Sequence, residues 1–136
     1  MVALGAGTLT GALIALALVV LDVARERGTA PVILVAIAVF YPVFAAEHGE
    51  VEGTLAHGAI ALAFLALAIL SVRIGPWLAA FGVVLHGLLD VVFHATSSPG
   101  PVWWPSFCGA LDLVLGGLLI LHLRRTPPRV PCGGQA

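Results

Sequence analysis

His86, Asp90 and His94 follow one another at four-residue intervals, as His-x-x-x-Asp-x-x-x-His. In a helix that spacing stacks side chains along one face. Downstream, Cys108, Asp112 and Gly116 repeat the step. Upstream, Glu50, Thr54 and His57 share a face if helicity begins that early. Imidazole and carboxylate together suit Zn, Fe or Mn. His57, His86, Asp90, His94 and Asp112 are therefore candidate metal ligands, three or four of which would surround one ion and leave a position for water. Metal-bound water is acidified and becomes a nucleophile. Asp90 and Asp112, with Glu47 or Ser98 as acid or base, are the candidate catalytic residues of a small membrane-embedded hydrolase acting on a lipid-like substrate.

Other chemistries compete for the same residues. Polar side chains between membrane helices often serve as packing glue, so a non-catalytic subunit with a structural network is one alternative. A chain of Asp, Glu and His can also relay protons. Five short helices enclose little volume, so conduction would need a homo-oligomer. Two histidines such as His57 and His86 would serve a haem, but two nearby aspartates and the lack of an attachment motif do not favour it. His-Glu-x-x-His is absent, as are the His-rich boxes of membrane desaturases, and the two cysteines, Cys108 and Cys132, form no Cys-x-x-Cys.

These residues need elements to hold them, and composition says which kind. Of 136 residues, 60% are apolar and 10% charged, with no lysine, and the mean hydropathy is +1.11. A soluble domain carries about 25% charged residues. So few charges cannot clothe a globule, which excludes a soluble enzyme, a disordered chain and a nucleic-acid binder. The chain reads as an all-α integral membrane protein in contact with the lipid bilayer. A bilayer core is about 30 Å thick and is crossed by about 20 apolar helical residues. Such stretches run from Ala3 to Val23, Pro31 to Glu47, Gly53 to Val72, Pro76 to Thr96 and Ser106 to Leu123. Continuous apolar runs, not alternating ones, exclude a β-barrel. Short links make an antiparallel five-helix bundle over residues 1–124, followed by an irregular tail over 125–136.

Pro42 should kink the second segment or end it early, with a re-entrant stretch through Gly53 as the alternative. Gly7 and Gly11 form a small-xxx-small pair that permits close helix contact. All six basic residues follow segments one, three and five, and Glu47, Glu50 and Glu52 lie on the other side. The positive-inside rule then places a multi-pass protein in the cell membrane with its N-terminus outside and its C-terminus cytoplasmic. On this reading Asp90 and Asp112 each lie about 9 Å, and His57 about 6–9 Å, below the outer helix ends. His94 and Glu47 sit nearer the rim and His86 nearer the midplane. An ionisable group at such depth costs roughly 2.5–3.5 kcal/mol on insertion scales, so it marks a functional site.

The run from Leu85 to Leu115, with His86, Asp90 and His94, then Trp104-Pro105, Cys108 and Asp112, resembles a family of uncharacterised small bacterial integral membrane proteins. An acidic residue matching Glu47 or Glu50 belongs to the same pattern. The resemblance implies a similar length and several spans, and it sharpens the residue set without implying a reaction. A kit of Ser, Asp and three His is also similar to that of alkaline ceramidase-like zinc hydrolases. Those have seven helices in another motif order, so no residue carries over.

Overall fold

The computed structural model describes residues 1–95 and 99–125. Its elements are α1 (Val2–Val20), α2 (Thr29–Ala38), α3 (Phe40–Glu47), α4 (Val51–Ile74), α5 (Pro76–Ala95) and α6 (Trp104–Arg125). Among the described residues, five crossings are long and apolar enough to span a membrane, α2 and α3 together making one of them, Thr29–Glu47. The chain is an all-α five-helix membrane bundle.

Proline places several of the boundaries. Pro42 has no N–H to give to the carbonyl four residues back, and its ring crowds that carbonyl. That residue is Ala38, where α2 stops, and the ladder resumes as the Val43 N–H donates to the Val39 carbonyl at 3.2 Å. The second apolar stretch is thus a broken helix, α2 followed directly by α3, and together they are long enough to cross a membrane. Pro31, Pro76 and Pro105 all lie in first turns, where a missing N–H removes no helical hydrogen bond. For that reason α6 begins at Trp104, two residues before the expected Ser106. The Trp104-Pro105 pair opens the helix.

Side-chain contacts fix the directions. Gly7 meets Phe107 and Gly11 meets Leu111, so α1 runs parallel to α6. Gly87 faces Gly109 and Gly116 faces Ala80, so α5 and α6 are antiparallel. His57 against Phe93 and Phe64 against His86 make α4 and α5 antiparallel. One end of the bundle therefore carries Glu47, Glu50 and Glu52, and the other carries Arg25, Arg27, Arg73, Arg124 and Arg125. The Gly7–Gly11 pair is spent inside the subunit: a Cβ on Gly7 would run into the Phe107 carbonyl.

α5 is the most enclosed crossing and touches α2, α4 and α6. Toward the arginine end it is sealed by an apolar layer. Leu34, Ala79 and Val83 belong to one cluster, and Ala80, Leu115 and Leu119 to another, all buried. Burying one such Leu or Val side chain contributes about 1.5–3 kcal/mol in water. In lipid the layer acts by close packing instead.

Candidate metal centre

One buried cluster of ligand-type side chains stands above that apolar layer, and it straddles α5 and α6. His86, Asp90 and Asp112 each offer one ligand atom, and those atoms lie within 4.8 Å of one another. Exposures of 3%, 0% and 1% place all three beyond water. His86 Nδ1 donates to Asp112 Oδ2 at 2.8 Å. The same nitrogen stands 3.6 Å from Asp90 Oδ2, too far for a hydrogen bond. One imidazole N–H thus lies between two carboxylates and satisfies one of them.

Two glycines permit the meeting. A Cβ on Gly87 would lie 3.0 Å from Asp112 Cβ, and one on Gly109 would lie 3.1 Å from Asp90 Cβ. Each bare α-carbon is the slot into which the aspartate of the opposite helix fits. Larger residues there would hold the backbones, and hence the carboxylates, apart.

Tyr41 completes the cluster. Its hydroxyl donates to Asp90 Oδ1 at 2.6 Å across 49 positions of sequence. It is the single tyrosine of the chain, and sequence reasoning passed over it. The available signal was a phenol inside an apolar span, since a buried Tyr hydroxyl usually finds a partner. With Oδ1 held by Tyr41, Asp90 Oδ2 has no hydrogen-bond partner, and neither has Asp112 Oδ1. Unpaired buried carboxylate oxygens are costly, and this cluster holds two.

The other sequence-derived candidates fall outside the group. His94 is exposed and pairs through Nδ1 with Ser106 Oγ at 3.1 Å. The reason is helical drift: eight residues advance a side chain by about 80° around the axis, so His94 turns off the face that His86 and Asp90 share. His57 is half-buried, its ring stacked on Tyr41 at 5.6 Å and edge-on to Phe93 at 5.1 Å, and its Nδ1 has no hydrogen-bond partner. Glu47 and Glu50 are exposed at the acidic end, and the Glu50 carbonyl accepts from Thr54 Oγ1 at 2.7 Å. Ser98 lies outside the described residues, as does the tail beyond Arg125. Cys108 is buried one turn before Asp112 with its thiol free.

The cluster fits a divalent cation by donor set and by charge. One imidazole nitrogen and two carboxylates are common ligands for Zn, Fe and Mn. Bonds of about 2 Å from metal to ligand put ligand atoms within roughly 4 Å of one another, close to the span the three already occupy. Two carboxylates and a neutral imidazole carry two negative charges, which one divalent ion cancels. Tyr41 would supply the outer hydrogen bond that orients such a carboxylate.

No protein-family model matches the chain, and no curated protein or solved structure matches it.

Proposed function

We propose that this chain is a membrane-embedded protein that holds one divalent transition-metal ion (Zn, Fe or Mn) at His86, Asp90 and Asp112. The observation that carries the reading is the convergence of three ligand atoms within 4.8 Å, two of the residues bearing unpaired carboxylate oxygens, in a place closed to water. A buried charge pair is tolerable when further partners complete it and costly when they do not. A divalent ion held by His86, Asp90 and Asp112 would complete this one. When bound, such an ion supplies Lewis acidity to an oxygen that reaches it.

Complete burial favours holding an ion over turning over a lipid-like substrate, because a scissile bond needs room beside the metal. Membrane-embedded hydrolysis remains an extension of the reading, and it would require the acidic end to open. The apolar layer of Leu34, Val83, Leu115 and Leu119 closes the opposite side, which favours a one-ended site over a conducting path. A second reading, a metal-free network that ties α5 to α6 and α3, is favoured by the direct 2.8 Å bond between His86 and Asp112.

Elemental analysis of detergent-purified protein separates the two. The metal reading expects about one Zn, Fe or Mn per chain, lost in Asp90→Asn and Asp112→Asn but kept in His94→Ala. A folded wild-type protein that takes up none of the three ions, even when they are supplied, would leave the structural network as the reading.

A further inference from the structure

The cluster has no exposed ligand, so an ion can reach it only through the protein. Three of its sides offer an ion only apolar side chains or closely packed backbone. Toward the arginine end stand Leu34, Val83, Leu115 and Leu119, each at most 1% exposed. Between α5 and α6 the backbones meet closely: a Cβ on Gly87 would lie 3.1 Å from the Gly109 carbonyl oxygen, and one on Gly109 would lie 3.3 Å from that of Gly87. On the α4 side at the level of His86, the Phe64 ring meets the imidazole edge-on at 5.2 Å.

The fourth side differs in chemistry. Going from the cluster toward the acidic end, Asp90 is followed by the Tyr41 hydroxyl, then by His57 stacked on the Tyr41 ring. His57 Nδ1 is buried and unpaired although the residue as a whole is half-exposed. Two turns above it, at the N-cap of α4, lies exposed Glu50, whose carboxylate rests over Gly53. Tyr41 also rides on the eight-residue α3, which Pro42 has uncoupled from the ladder of α2. A short helix without a continuous ladder to its neighbour is the kind of element that can shift locally.

We infer that His57 is the relay through which a divalent cation passes between the acidic surface and the buried cluster, its free Nδ1 holding the ion transiently as Tyr41 moves aside. The inference rests on the metal reading above. It makes His57 a positioning residue on the path and not a ligand of the resting site. A group that stabilises an ion only in transit lowers the barrier in both directions. Its removal slows loading and release together and leaves their ratio, the affinity, unchanged.

The test uses the full chain in detergent with Co2+ or Zn2+ alone as probe, and measures binding at equilibrium together with loading and release rates. His57→Phe keeps the ring packed on Tyr41 and Phe93 while removing both nitrogens, and His57→Ala serves as the second variant. Both rates are expected to fall about tenfold, the size of effect typical of a polar partner beside a metal site, with affinity changed by less than about threefold. His94→Ala should leave both rates at wild-type values. Unchanged or faster rates in both His57 variants would overturn the relay, and so would faster release with weakened affinity, which would make His57 a ligand. A wild-type chain that binds neither ion would fail the metal reading itself, which is a different result from normal binding with unaltered kinetics.

Discussion

Replacing His86 with Leu should destabilise the bundle by about 3–5 kcal/mol, the usual consequence of breaking a buried ion pair from one side. The imidazole is the only donor among the described residues to the Asp112 carboxylate, at 2.8 Å, and it lies 3.6 Å from Asp90. Leucine fills a similar volume, so the loss reports charge and hydrogen bonding more than a cavity. It leaves two acids, 0% and 1% exposed, facing each other with the Tyr41 hydroxyl as the remaining donor. The effect is read from reversible unfolding in mixed detergent. Adding Asp90→Asn and Asp112→Asn to His86→Leu should regain part of the loss, since amides of the same shape carry no like charge. Divalent ion at one hundred times its dissociation constant should stabilise the wild type by about 2.7 kcal/mol through mass action, and His86→Leu not at all.

Gly109→Val should do more harm to the site than to the fold. Its Cβ would lie 3.1 Å from Asp90 Cβ and 3.3 Å from the Gly87 carbonyl, both fixed to backbone and unable to swing away. α5 and α6 must separate by several tenths of an ångström or more, at a cost of about 1–3 kcal/mol for overpacking. The same displacement parts Asp90 from Asp112, and metal affinity should drop by about 10–100-fold, as when the support of a ligand is lost. Gly117→Ala is the control on the same helix. A Cβ there meets nothing within 4 Å, so affinity and stability should hold. An equal loss in both variants would mean that the glycines matter for helix flexibility and not for the approach of the two carboxylates.

Much of this arrangement is legible in the sequence. Long apolar runs leave the backbone no partner but itself, so five crossings follow from hydropathy, and Pro42 marks the break in the second. His86 and Asp90 share a face because four residues advance a helix by about 40°. Asp112 is conspicuous because a carboxylate is expensive in that setting. Tyr41 is not legible in the sequence because a phenol fits an apolar span without raising any cost, and its partner lies 49 residues away. A four-residue repeat makes His94 look continuous with His86 and Asp90, whereas each step adds rotation and the third member leaves the face. His57 stands on the acidic-end side of the cluster, separated from its carboxylates by the Tyr41 ring, a fact of packing that no spacing encodes. The sidedness expected from the arginines concerns the membrane, and its structural counterpart is the division into an acidic and an arginine end.

The central claim is that one nitrogen and two carboxylates, drawn from α5 and α6, hold a single ion. X-ray absorption at the metal edge of zinc-loaded protein reads that ligand set directly. The account predicts a shell of nitrogen and oxygen at about 2.0–2.2 Å, the scattering signature of one imidazole, no sulfur, and loss of that imidazole signature in His86→Gln. A sulfur contribution from Cys108, two or more imidazoles, or a fully hydrated ion would contradict it.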